Sequence, residues 1–220
     1  MESNVPIGEL SDIAVPGFIF PSITYLLILH QQNAHIDLGA HFVKQSPRNH
    51  FFILSANGQQ KLSIPLESKK GIPTATSEMR ISEGSWYKNQ ITAIQSAYGK
   101  SAFYFHFKDE LDDMMKQMPG ANLSAAITRS IEFLTRNLRV TKPHFNHTFS
   151  PDSYRYDWRM LKVLPCNDDI TKYHQVFSDR FVFQDNLSAL DLLFNLGPEA
   201  SGYIQSQPKI KLDLEDLQSS

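Results

Sequence analysis

The stretch Phe42-Val-Lys44-Gln45-Ser-Pro-Arg48-Asn49-His50 sets two cations, two amides and an imidazole close together in a segment whose composition marks a loop. Such a set suits a phosphate or a carboxylate, because Arg offers a bidentate fork, Lys a point charge and the amides directional hydrogen bonds. It also reads as a plain solvated loop. A second set lies near the C-terminus, where Tyr173, Gln175 and Phe177 alternate as strand neighbours and could present a phenol and an amide to a cavity. A core edge with satisfied polar atoms is the alternative there. Asp191 belongs either beside an acceptor group or in a Ser188-x-x-Asp191 capping box, and Asn186 is a further cap or turn residue. The candidate substrate-binding residues are therefore Lys44, Arg48, Asn49, Tyr173, Gln175 and Asp191, with no nucleophile, base or cofactor assigned.

Metal and phosphate-loop chemistry find little support. His144-x-x-His147 lacks a third ligand at a recognised spacing, and His30, His35, His41 and His50 form no pattern, so no metal is expected. No P-loop, G-x-G-x-x-G, G-x-S-x-G or H-E-x-x-H occurs. The single cysteine, Cys166, excludes an intramolecular disulfide and reads as a bland thiol of a reducing cytoplasm.

These residues need elements to hold them. Val15 to Phe20 reads as a buried strand, Ser22 to about Gln32 as a helix and Ala34 to Leu38 as a second strand, an opening that builds parallel sheet. His50 to Ala56 and Gln59 to Leu66 form a hairpin turning at Asn57-Gly58, with Ile53 opposite Leu62 and Phe51 opposite Ile64, and Leu54 and Phe52 meeting Lys61 and Ser63. Tyr87, Ile91, Ile94 and Tyr98 stripe a helix capped by Ser85 and stopped by Gly99. Further helices are expected over about Lys108 to Met118 and Leu123 to Arg139. Residues 141–169 read as a long irregular connection with one short strand near Met160 to Leu164, and a last helix follows Ser188 and ends at Gly197-Pro198. The expected organisation is an N-terminal extension (1–14), an α/β domain (15–207) and a tail (208–220) whose alternation suits an edge strand.

Composition limits the function classes. With 220 residues, 41% of them hydrophobic, and a net charge of -2, the chain is globular and has no general field for gripping a nucleic-acid backbone. No apolar run approaches the ~20 residues of a membrane span, and the acidic start of the chain does not suit a signal peptide. Oligomeric state stays open.

Taken in order, Phe20-Pro21, Lys44-Gln45, Arg48-Asn49, the Asn57-Gly58 hairpin ending in Leu62-Ser-Ile-Pro65, Trp86, Ala93-Ile94 and Ser96-Ala97-Tyr98 resemble the WbqC-like protein family in its Bacteroidetes form. Tyr173, Gln175-Val-Phe177 and Asn186 to Glu199 resemble that family's closing signature, so the likeness spans about residues 15–205. The resemblance implies a surface-polysaccharide setting, with transfer of an acyl or aminoacyl group to an amino sugar and a nucleotide-sugar as the small-molecule partner. In that reading Lys44 and Arg48 hold a diphosphate or carboxylate, Asn49 and Gln175 orient hydroxyls, and Tyr173 or Asp191 lies near the acceptor. This chain departs from the family at His50, at Tyr87, at Gln90-Ile91 in place of His-Trp, and at Val163-Leu164-Pro165 in place of Ile-His-Pro. A glutamine cannot exchange a proton near neutral pH, so a sugar- or nucleotide-binding protein without turnover, or a structural interaction module, stands as the alternative. The expected fold class is α/β, a single domain with a mixed sheet, a hairpin edge and helices packed on it.

Overall fold

Every residue from Ile23 to Leu29 is buried, so the helix that carries them has no solvent face and must be covered on all sides. In the computed structural model, which describes residues 12–67, 72–149, 154, 156–162 and 169–210, this helix (α1, Ile23–Gln31) joins strand β1 (Asp12–Pro16) to strand β2 (Asn33–Asp37). The two strands pair in parallel, Ala14 opposite His35 and Pro16 opposite Asp37. β1 starts before the expected Val15, inside the stretch read as an extension, and leaves the sheet well before Phe20. Gly17 makes that exit possible, since a Cβ there would sit 2.5 Å from the Leu38 side chain. Phe20 then turns the chain with φ +42°.

Two short strands complete the sheet. β5 (His144–Asn146) lies beside β2 and β6 (Tyr156–Asp157) beside β1, both parallel, in the order β5-β2-β1-β6. The region read as irregular thus supplies both outer strands, which are too short to leave a periodicity in the sequence. The strand expected at Met160 to Leu164 is not formed over 160–162, which is turn and bend, and residues 163–168, with Cys166, lie outside the described residues. All the pairings are parallel, so the four carboxyl ends emerge on one side, where open α/β sheets form their crevices.

The hairpin strands β3 (His50–Ser55) and β4 (Gly58–Ser63) form a two-stranded antiparallel sheet of their own beside the parallel one. The turn is centred on Ala56-Asn57, one residue earlier than expected, and Phe51 faces Leu62. Gly58, at φ +97°, opens β4 opposite Ser55 instead of forming the second corner of the turn. The pairing shifts by two residues, which keeps side-chain parity, so Phe51, Ile53, Leu62 and Ile64 still share the buried side.

Three helices cover the remaining surfaces: α2 (Trp86–Tyr98), α3 (Tyr104–Lys116) and α4 (Leu123–Asn137). α2 buries Gln90, Ile94, Ala97 and Tyr98 rather than Tyr87 and Ile91, because Gln90 donates to the Ser63 carbonyl at 2.6 Å and the Tyr98 hydroxyl accepts the Leu54 N–H. α4 buries its Leu123, Ile127, Ile131 and Leu134 stripe as its spacing requires. α5 (Ala189–Leu196) and α6 (Ala200–Ser206) finish the described chain. The result is one α/β core. The tail's expected edge strand falls largely on residues 211–220, outside the described residues. Among the described residues no helix is long and apolar enough to cross a membrane.

At the carboxyl ends of the sheet, the Arg159 guanidinium, only 2% exposed, donates to Asp37 at 3.0 Å and clasps Asp157 through Nε (2.9 Å) and Nη2 (2.6 Å). Asp37 is 1% exposed, and its other oxygen accepts the Gly39 and Ala40 N–H groups. Removing Asp37 takes the fully buried carboxylate from a buried guanidinium and leaves it the half-exposed Asp157. Asp37→Ala is therefore expected to cost about 3–5 kcal/mol in urea unfolding, whereas Asp157→Ala, which removes a half-exposed partner, costs clearly less. Equal losses for the two would show that Asp37 does not dominate the clasp.

Candidate functional site

The loop expected to bind an anion divides its side chains. Lys44 and Gln45 are exposed. Arg48 is 1% exposed, and its guanidinium donates to Ser46 Oγ (2.9 Å) and to the Arg159 carbonyl while lying 6.0 Å over the Phe18 ring. Burial pulls its pKa down to about 10, which leaves it charged at neutral pH. Asn49 donates to the Ile64 carbonyl at 3.0 Å and accepts the Ile64 N–H through its own carbonyl, stapling the loop to the hairpin.

The second set does meet. Tyr173 Oη donates to Asp191 at 2.5 Å and Gln175 Nε2 donates to the same carboxylate oxygen at 3.1 Å. Gln175 also bonds both ways with the Gln184 backbone, at 2.9 and 3.0 Å, so it pins the 173–184 segment onto α5. Asp191 is fully buried, and burial raises its pKa to about 6 against the opposing hydrogen bonds of Tyr173, Tyr98, Gln175 and Asn195. It does not reach back as a capping-box residue, and Ser188 alone caps α5 by accepting the Leu190 N–H. None of Lys44, Arg48, Asn49, Tyr173, Gln175 and Asp191 lines the cavity described next.

That cavity, of about 330 Å³, opens just beyond the carboxyl end of β1. Phe18, Phe20, Phe51 and Phe52 supply its walls. Its polar lining comes from Ser22, Thr24, Gln45, His50, Gln59 and Asn186, with Ser188 and the exposed Lys162 completing it. Three separate elements are stitched together around it: the Ser188 N–H donates to the Phe52 carbonyl and the Ala189 N–H to the Pro21 carbonyl, both at 2.8 Å. The Phe20 backbone is held by its N–H bond to Ser130 Oγ at 3.2 Å and by ring contact with Phe51 at 4.9 Å. A buried phenylalanine in the left-handed region is a costly conformation that surrounding contacts must impose, and such positions gather at ligand sites.

His50 is the titratable group inside. It is 7% exposed, lies edge-on to Phe52, and burial together with the Lys61 charge lowers its pKa to about 4. At neutral pH it is therefore a neutral imidazole, able to donate from one nitrogen and accept at the other. Of the cavity residues, Gln45 and His50 belong to the loop whose composition suits an anion, whereas Asn186 and Ser188 read as turn or cap positions and Phe20-Pro21 as the junction of strand and helix. The signal that does mark them is the positive φ at Phe20, which has no sequence signature. Among the described residues no group of three or more His, Cys, Asp and Glu could hold a metal ion, and His144 stacks on His35 instead.

Residues 18–151 match the WbqC-like protein family. The chain belongs to that family. The matched span begins at the first cavity wall, Phe18, and contains the β1–α1 turn, the 42–50 loop and the hairpin, while Tyr173 to Glu199 lies beyond it. No curated protein and no solved structure matches the chain. Membership of the family points to a role in polysaccharide or sugar-related biosynthesis.

The two displaced pKa values act on stability with opposite sign. Asp191, raised from 3.8 to about 6, keeps a proton that the unfolded chain has lost, so its contribution falls as pH rises through that window. His50, lowered from 6.5 to about 4, lacks a proton that the unfolded chain holds, so its contribution rises with pH over the same range. Asp191→Asn should leave a stability that climbs between about pH 4.5 and pH 6.5, and His50→Gln one that declines, in urea midpoints. Parallel profiles for the two variants would show that neither group titrates as its burial requires.

Proposed function

We propose that the cavity binds a sugar and that the protein transfers an acyl or aminoacyl group to an amino sugar in surface-polysaccharide or nucleotide-sugar metabolism, in the cytoplasm. The observation that supports this most is the lining: phenyl walls with neutral amides, hydroxyls and an imidazole, Lys162 at the rim, and no carboxylate among the described residues. A sugar ring offers C–H faces to aromatic walls and hydroxyls to amides, and the volume lies at the small end of the range for ligand sites. In this reading the acceptor nitrogen attacks the carbonyl carbon of an activated donor, a C–N bond forms and the bond to the leaving group breaks. The amine proton passes to the neutral His50 ring and from there to the leaving group. Arg48 and Asn49 brace the loop that brings His50 in, Tyr173, Gln175 and Asp191 fix the start of α5, and Lys44 lies outside the site.

A second reading, binding without turnover, is favoured by the low pKa of His50, which makes it a weak base, and by the commitment of Asp191 to structural bonds. Thermal shift against amino sugars, nucleotide-sugars and acyl donors tests both. A ligand at a hundred times its dissociation constant stabilises by ~2.7 kcal/mol, roughly 5–11 °C for a chain of this size. Gln59→Trp, on the exposed strand β4 at the cavity mouth, should abolish the shift, and Lys44→Ala should leave it intact. Turnover that His50→Gln removes while the shift persists supports the transferase. A shift without turnover in the unaltered protein supports the binder, and no shift with any sugar overturns both.

A further inference from the structure

Two polar groups of the cavity, Ser22 and Thr24, lie at the first turn of α1. Ser22 caps that turn by accepting the Tyr25 N–H and forms an antiparallel bridge with Ser188, while the Thr24 N–H has no partner among the described residues. α5 differs, because its Ala189, Leu190 and Asp191 N–H groups are all taken, by the Pro21 carbonyl, Ser188 Oγ and the Ser188 carbonyl. The Thr24 side chain is 4% exposed and lines the cavity, and its hydroxyl has no hydrogen-bond partner among the described residues. His50, 7% exposed, also lines it with both ring nitrogens unpaired on the same footing. Two polar side chains packed among the cavity walls with no protein partner among the described residues leave their hydrogen-bonding groups to a ligand. Among the described residues Lys162, on the rim, has no ion pair and no Asp or Glu lines the cavity to oppose an anion.

We propose that this end of the cavity is a phosphate subsite, in which the first turn of α1, the Thr24 hydroxyl, the His50 ring and Lys162 hold the phosphate of a sugar phosphate. The inference rests on the reading of the cavity as a sugar site and narrows its ligand from a free sugar to a phosphorylated one. A helix N-terminus supplies converging N–H groups and the positive end of the dipole. Hydroxyl, imidazole and ammonium donors then approach from other directions, which suits the several terminal oxygens of a phosphate better than the two of a carboxylate.

The test titrates the full chain with an amino sugar, with its 1-phosphate and with inorganic phosphate, by calorimetry and by ³¹P line width. The 1-phosphate should bind at least about tenfold more tightly than the free sugar, and inorganic phosphate should compete with the 1-phosphate. Thr24→Val, close in shape to the native residue, and Lys162→Ala, on the surface, should each erase that advantage, while Thr24→Ser, which keeps the hydroxyl, should retain it. Equal affinity for free sugar and 1-phosphate overturns the subsite and leaves the sugar reading standing. Phosphate binding that is sensitive to Thr24→Val without any sugar binding supports the subsite and overturns the sugar reading. No binding of any probe overturns both.

Discussion

A guanidinium sealed at the carboxyl end of a parallel sheet has to be answered by carboxylates, and the position of Arg159 dictates much of what surrounds it. Asp37 at the end of β2 and Asp157 at the end of β6 neutralise it, which ties the centre of the sheet to its edge. Because Asp37 also accepts from Gly39 and Ala40, the same pair fixes how the chain leaves β2. The Arg159 carbonyl receives Arg48, so a second buried cation is held by neutral acceptors and by the Phe18 ring rather than by an acid. His50 enters the cavity two residues after Arg48. Its placement is thus set by an ion cluster it never touches.

The other constraint is the β1–α1 turn. α1 is apolar on every side and must run through the middle of the core, so the chain leaving β1 has to reverse within the few residues between Gly17 and Ser22. Phe20 accepts a positive φ to achieve this, and Ser130 of α4, Phe51 of β3 and the Ile19 N–H bond to the Pro47 carbonyl hold it there. The rings and caps gathered by that reversal are the ones that bound the cavity. The site is in this sense a consequence of burying α1 completely.

What could be read from the sequence follows the range of the forces involved. α1, α4 and α5 were legible because burial stripes and caps act within a turn or two of helix, as at Leu123 to Leu134 and at Ser188. The faces of the hairpin were legible too, although its register was not. Asn57-Gly58 suggests a turn at those two residues, and only the fold shows the turn at Ala56-Asn57 with Gly58 paired to Ser55. β5 and β6 were invisible because strands of three and two residues owe their existence to the neighbours they pair with. Lys44, Arg48 and Asn49 are adjacent in type and number, but sequence carries no information on direction: one faces solvent, one the core and one the hairpin. Tyr173, Gln175 and Asp191 do converge, on one another, and the cavity lies elsewhere.

The distribution of charge sets what chemistry the cavity can support. Two fully buried acids do not line it: Asp37 is held by Arg159 and two backbone N–H groups, and one oxygen of Asp191 by Tyr173 and Gln175. In the proposed reaction proton transfer would fall to His50, whose neutrality comes from desolvation and from the positive charge of Lys61. The negative charge of a ligand would oppose both causes. A phosphate at the first turn of α1 would place negative charge beside the imidazole, favour its protonated form and raise its pKa toward the neutral range where general bases work best. The imidazole would then be a poor base in the empty protein and a competent one only when a phosphorylated ligand is bound. Ligand charge and base strength would be coupled without any movement of the fold.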